Sequence, residues 1–366
     1  MTAVLSRTAS FCSLAVTLAG VSVGAGALSA GAVETIACGT GLPASSMGLF
    51  DGHDHLRNIT TAPEGEAELD ELAAAGVALG MLALATPDSV ANGAALDMQS
   101  ESAYPVYAFA RAPYSLVGGK KTFDSTSLGV VIAQLQAGAT GVGEIPLRHS
   151  GPTGLAANIA ANHPVAMAIY AEAGSRRVPV SIHFETRDKS APGVDISSRI
   201  DELEAALSAY PETRFIWAHL GDTGPTTVRT LIEAHGNLYG DLSTRNPYYI
   251  RGWPMGLQSL GTGTDGSGGL GPEWKSLFED HPDRFLFGLD LASDDRREQL
   301  DQVVTYYRGV LGELSQETAE KIACKNAREL LTTAAVPGPS RVGLWMLALL
   351  VIASAMVHMR RRHIPL

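Results

Sequence analysis

Only three of the 366 residues are cysteine, aromatics make up 6% and charged residues 18%. There is no Walker A segment, which excludes a P-loop cradle for nucleotide phosphates. The body of the chain has no Gly-x-Ser-x-Gly, so a serine nucleophile elbow is excluded. Without Cys-x-x-Cys there is no thioredoxin-type redox pair. Basic residues form no patch in the body and the net charge is −11, the wrong balance for a nucleic-acid groove. The Gly-x-Gly-x-x-Gly match from Gly261 to Gly266 follows no strand pattern and opens no helix, so it reads as a glycine-rich loop and not a dinucleotide site.

The two ends differ from the body. Arg7 precedes an uncharged run from Thr8 to Ala32, with small residues at Ala27, Ser29, Ala30 and Ala32. This pattern predicts a secretory signal peptide over 1–32, followed by an arm over 33–47. At the other end, a Pro/Gly linker (334–341) leads to an apolar transmembrane helix (342–359) and a basic tail (360–366) carrying Arg360, Arg361 and Arg362. That layout resembles the PEP-CTERM sorting signals of bacterial surface proteins, although Gly338 stands where their pattern has Glu after the first Pro. The resemblance implies a membrane anchor and an exosortase-like processing enzyme as partner, with the body outside the cytoplasm, in the periplasm or at the cell surface. In an oxidising compartment Cys38 and Cys324 either bridge the arm to the last helix or remain two free thiols.

The body, 48–333, alternates short apolar runs with amphipathic stretches. Strands are expected over 48–50, 77–84, 106–110, 141–145, 180–182, 215–218, 238–242 and 285–288. Helices are expected over 66–75, 128–136, 165–173, 199–210, 228–235 and 272–280, with two more at 298–311 and 316–331. Eight strands with helical connections predict an α/β fold of the (β/α)8 TIM-barrel type. The competitor is an open doubly wound sheet, which usually has a Gly-rich loop after its first strand. Here the first strand runs into Gly52-His53-Asp54-His55.

On a strand, residues two apart point to one side, so His53 and His55 are expected to face one ion with Asp54 turned away. Other strand ends supply Glu144, His183, His219 and Asp290. In a parallel barrel the carboxyl ends of all strands meet on one face, so these six groups converge there. Imidazole and carboxylate suit Zn2+ and comparable divalent cations. Taken singly, each residue is more often a hydrogen-bonded loop His or an Asp cap; five strands delivering ligand types at equivalent places is a different observation. His163, His235 and His281 are expected at the opposite end, and His149 beside the site, either behind the ligands or on the substrate.

Together these positions resemble the amidohydrolase superfamily, in particular its amidohydrolase-2 (amidohydrolase-related) branch. The segment Asp283 to Asp290 and the closing Asn326-Ala327-Arg328 are similar to the branch's last-strand and last-helix signatures. The resemblance implies a metal-dependent hydrolase acting on an amide, ester, lactone or related bond of a small molecule, with Asp290 and His219 as catalytic groups. The metal ligands would come from His53, His55, Glu144, His183, His219 and Asp290. One ion (His53, His55, His183, Asp290) or two ions bridged by Glu144 are both open, and no lysine is placed for a carboxylated bridge. Arg148 and Arg245, past strands four and seven, are candidates for a substrate carboxylate or phosphate, and ordinary rim salt bridges are their alternative. The loops 187–198 and 252–271 are candidate lids. Two further readings are a metal-dependent non-oxidative decarboxylase with the same ligands and a non-catalytic surface binding protein on a degenerate barrel.

Overall fold

In the computed structural model, the described residues are 38–56, 59–79, 81–82, 92–151, 154–188, 191–249, 259–262 and 267–332. The expected segments 1–32 and 342–359 lie outside them, as do 250–258 and 263–266 of the second expected lid. Among the described residues no helix is long and apolar enough to cross a membrane.

Eight parallel strands form the core: Leu49–Asp51 (β1), a second strand in two pieces, Val77–Leu79 and Met81–Leu82 (β2), Tyr107–Ala110 (β3), Gly141–Pro146 (β4), Val180–His183 (β5), Phe215–Trp217 (β6), Leu238–Asp241 (β7) and Phe285–Leu286 (β8). Each pairs with the next in chain order. The ring closes just beyond the ladders, where Gly52 N–H donates to Phe287 O (2.9 Å) and Asp290 N–H to His53 O (2.8 Å). β6 is buried throughout, as a continuous apolar run covered on both faces should be.

Helices occupy the crossovers. Ala62–Ala74 (α1) starts with a Thr61–Glu64 capping box and a proline in its first turn. Pro225–Ala234 buries Val228, Leu231 and Ile232, an i, i+3, i+4 stripe against the barrel. The helix Gly93–Glu101 between β2 and β3 had no counterpart among the expected helices; its Gly start and Ala-rich content give it little periodicity. The last segment is continuous, Gln316–Glu320, a π turn at Lys321–Lys325, then Asn326–Thr332.

Cys38 and Cys324 are joined as a disulfide, with Cα atoms 5.4 Å apart. The arm is also held by Gly41 N–H to Glu320 Oε1 (2.5 Å) and by Arg308 Nη1, which donates to Ala44 O (2.9 Å) and Met47 O (2.7 Å).

Over the carboxyl ends of β3 and β4 lies a small sheet not foreseen from the sequence. Tyr114–Val117 pairs antiparallel with Lys120–Phe123, and Ala157–Asn158 and Arg148–His149 extend it. Of the two expected lids, 187–198 carries a pair of short strands in its described residues. Arg187–Asp188 pairs with Ala191–Asp195, and the Asp195 carboxylate accepts hydrogen bonds from Thr186, Thr223 and Thr227.

Candidate metal centre

All six expected ligands meet at the carboxyl ends of the strands, reached by a route that differs in detail from the expectation. β1 ends at Asp51, so His53 and His55 lie past the strand and not within it. Two aspartates set their backbone instead. Asp51 Oδ1 accepts from His53 N–H and Leu289 N–H (both 3.0 Å); Asp54 Oδ1 accepts from His55 N–H (2.7 Å) and Leu291 N–H (2.8 Å). Asp54 is thus turned away from the centre, as expected, and laces β1 to β8. Burial pushes Asp54 up to about 6 despite these backbone donors, and also raises Asp51 well above the usual carboxylate value.

The Nε2 atoms of His53 and His55 come within 3.1 Å of each other. Between these imidazoles and the next pair sits Glu144. Its Oε2 is 3.1 Å from His55 Nε2 and 3.8 Å from His53 Nε2, while Oε1 is 2.9 Å from His183 Nδ1 and 3.6 Å from His219 Nε2. Gly143 makes this placement possible: its φ is +132°, and a Cβ there would lie 2.5 Å from Ser181 O. Asp290 Oδ2 is 3.6 Å from His219 Nε2. Of the four compact donor groups here, two are made wholly of the six expected ligands: His53–His55–Asp290 and Glu144–His183–His219. Imidazole nitrogens crowded this closely against carboxylate oxygens fit a divalent cation better than they fit one another.

Several supporting residues carried no sequence signal of their own. Asp241, wholly buried at the end of β7, binds His53 Nδ1 through Oδ2 (2.8 Å), and its Oδ1 accepts from Ser243. Ser243 in turn meets His219 Nδ1 (2.8 Å). Fixing the outer nitrogen of each ring leaves Nε2 turned inward, the carboxylate–histidine arrangement seen behind metal ligands. Glu185, also buried, lies 3.3 Å from His183 Nε2 and takes both its oxygens to Ser150 N–H (3.0 Å each). Arg296 binds the Asp290 carboxylate and donates to its carbonyl (2.8 Å), with its guanidinium 4.9 Å from the Tyr249 ring centre.

The electrostatics follow from this packing. Burial opposes charge on His53, but Asp241 and Glu144 overcome it and raise its pKa well above the usual histidine value. For His183, burial is likewise outweighed, by Glu144 and Glu185, to about 10. His219 goes the other way: burial and the charge of His183 bring it to about 4, so it is neutral at neutral pH. Burial would raise Glu144 and Asp290, yet both are held below the carboxylate range, Glu144 chiefly by His183 and His53 and Asp290 chiefly by Arg296.

His219 sits in an unusual turn. From His219 to Asp222 four consecutive residues have φ between 53° and 60°. Arg245 holds this turn by donating to Thr223 O (2.9 Å), and it is itself wholly buried over Trp274. In place of the expected substrate contact, the structure shows the guanidinium bracing the backbone of this turn, at Thr223 O and His219 O. Arg148 is likewise engaged elsewhere, by Glu202 (Nη2–Oε1 2.5 Å, Nε–Oε2 3.1 Å) and Asn158, which makes it the rim salt bridge of its alternative reading. His149 does lie beside the site, its ring 4.0 Å from that of His183. His163 is not at the opposite end; it caps the helix Pro164–Arg176 by accepting from Val165 N–H, on the strand-to-helix side. His235 and His281 end helices, as expected.

Comparison with curated protein sequences gives no match. A Staphylococcus aureus protein named provisionally as an amidohydrolase has the same fold, with a TM-score of 0.51 at 13% identity, covering 78% of this chain and 99% of that one. Also similar are 2,6-dihydroxybenzoate decarboxylase from Rhizobium (TM-score 0.49, 14% identity, 78% and 99% covered) and a protein from Acinetobacter baumannii provisionally named 2-pyrone-4,6-dicarboxylic acid hydrolase (0.48, 15%, 78% and 100%). The family profile described as amidohydrolase matches residues 55–332, most of the body that carries the ligand cluster. On that match the chain belongs to the amidohydrolase family, and it is an enzyme.

Proposed function

We propose that this enzyme is a metal-dependent hydrolase with two divalent ions, of the Zn2+ type, that cleaves an amide, ester or lactone bond of a small molecule. The observation that carries the reading is Glu144, whose two oxygens face two separate histidine pairs. His53, His55 and Asp290 would hold one ion and His183 and His219 the other, with Glu144 shared. Bound there, divalent ions supply a water acidified toward neutrality and an electrophile for a carbonyl oxygen. The protein's part is positional. Arg296 keeps the Asp290 carboxylate ionised, so it can take a proton from the attacking water and return it to the leaving group. Neutral His219, its Nδ1 fixed by Ser243, keeps the Nε2 lone pair available.

The test is metal content by elemental analysis together with turnover of an ester and lactone panel. His53→Ala and Asp290→Ala are expected to lose both; unchanged metal content in both variants overturns the reading. Release of carbon dioxide from aromatic carboxylates, in place of hydrolysis, would reassign the reaction to decarboxylation. We also propose that the enzyme works outside the cytoplasm, with 1–32 as signal peptide and 342–359 as a membrane anchor open to exosortase-like processing. The Cys38–Cys324 bridge supports this, since such bonds persist in oxidising compartments. Recovery of the intact 366-residue chain from the cytosolic fraction of its host would overturn it.

A further inference from the structure

Among the described residues four large hydrophobic side chains are exposed, and three of them meet at the rim of the mouth: Leu116 (60%), Val117 (68%) and Leu155 (51%). Leu116 and Val117 end the first strand of the hairpin made by Tyr114–Val117 and Lys120–Phe123. Gly118 and Gly119, with φ of +58° and +75°, close it in a two-residue loop that demands positive φ at both positions. The segment carrying Leu155 is fastened to this loop, with Gly154 N–H donating to Gly119 O (2.9 Å) and Lys121 N–H to Ala156 O (2.7 Å). The same segment reaches back to the metal centre. Leu155 O accepts from His149 Nδ1 (2.9 Å), and the His149 ring lies 4.0 Å from that of His183.

Successive strand residues point to opposite faces, so a hairpin lying flat on a protein buries every second side chain. Here Ser115, Leu116 and Val117 are all exposed, and the tip therefore stands clear of the barrel on both faces. A second copy or a protein partner would cover one face, or the free edge of Tyr114–Val117. A lipid surface surrounds a projecting tip from every side. The charges agree with lipid. The chain carries −11 overall, yet 111–123 holds Arg111, Lys120 and Lys121 with no carboxylate, and 148–158 holds Arg148 and none. A second copy would set these lysines against their equals, whereas anionic headgroups complement them. Clustered exposed apolar side chains mark a contact surface, and lysines directly behind them suit a shallow interfacial anchor.

We propose that the tip formed by Leu116, Val117 and Leu155, with Lys120 and Lys121 behind it, seats in the surface of an anionic lipid bilayer. The mouth of the barrel is thereby turned toward the bilayer, where an amphiphilic ester or amide enters the site. The docking stands apart from the chemistry; the amphiphilic substrate rests on the hydrolase reading.

Hydrogen exchange followed by mass spectrometry on the metal-loaded full chain reads the tip itself, whatever else of the chain meets the vesicle. Phosphatidylglycerol vesicles are expected to slow exchange over 114–121 and 154–157 several-fold, and phosphatidylcholine vesicles much less. Leu116→Ser combined with Val117→Ser should abolish that protection, and both side chains are exposed enough for the fold to survive. Lys120→Gln should narrow the difference between the two lipids. Exchange unchanged by phosphatidylglycerol overturns the inference, as does equal protection by both lipids. Protection that grows with protein concentration without vesicles overturns it in favour of a second copy. Turnover is read on the same preparations with p-nitrophenyl palmitate in phosphatidylglycerol vesicles and with dissolved p-nitrophenyl acetate. The double variant is expected to lose about tenfold or more on the palmitate, as the transfer of two apolar side chains would give, and nothing on the acetate. Equal effects on both esters remove the amphiphilic substrate. A chain protected by vesicles but inactive on both esters keeps the docking and removes the hydrolase. Acetate turnover without any protection does the reverse.

Discussion

The mouth of this barrel and the end where its arm is fastened are built by opposite means. At the mouth, His53, Asp51, Asp54 and Asp241 are all without solvent exposure, and four residues in a row at His219–Asp222 are left-handed, three of them not glycine. Each such non-glycine residue costs about 1–2 kcal/mol, and each buried charge must be repaid by partners. At the other end the arm is fixed by a disulfide, by Arg308 on two carbonyls and by Glu320 on Gly41. None of those groups touches the ligand cluster. Chemistry and cohesion are therefore separated along the barrel axis, and substitutions at the two ends should affect different measurements.

The sharpest way to break that separation is at Asp290. Asp290→Asn should lower turnover by about 10²–10⁴, the scale of a proton-transfer group, with the melting temperature unchanged or raised. A cooperative loss of folding would show that the mouth also carries stability. Next in size, Asp241→Asn should weaken metal binding by about 10–100-fold through the misdirected His53 ring, read by competition with a chelating dye. Glu144→Gln discriminates within the mouth. It is expected to reduce bound metal from about two ions per chain to about one, by elemental analysis, while the His53–His55 position stays filled; retention of both ions would deny Glu144 its shared role.

The same contrast decides what could be read without a structure. Strand ends were legible because a period of two and an apolar run announce them, and the barrel then brings His53, His55, Glu144, His183, His219 and Asp290 together without further information. Asp241, Ser243, Glu185 and Arg296 were not, since each acts on a neighbour distant in sequence and looks locally like any polar loop residue. Between the two readings of Arg245 and Arg148 the sequence could not choose for that reason: it puts a guanidinium near the right strand end but not the carbonyl or carboxylate that claims it. The hairpin at Tyr114–Phe123 was missed because Gly118-Gly119 reads as a turn inside what looked like a connection to a helix. The disulfide needed three-dimensional distance to decide between bridge and free thiols.

At the fastened end, Cys38→Ser with Cys324→Ser should lower stability by about 2–4 kcal/mol, by denaturant unfolding, and leave turnover at room temperature as it was. A parallel loss of activity would mean that the arm reaches the mouth after all. Glu320 tests the same end by pH. Its carboxylate accepts from Lys325, Gln316 and Gly41, which depress its pKa from 4.5 to about 2. A carboxylate with a depressed folded pKa contributes stability above its unfolded value and loses that contribution as pH falls through the folded one. Glu320 should thus stabilise the fold above about pH 4.5 and cease to do so near pH 2. In Glu320→Gln the unfolding midpoint is expected to be lower at neutral pH and to fall less on acidification. Parallel curves for the two proteins between those pH values would show that the arm does not depend on this carboxylate, leaving the disulfide and Arg308 to hold it.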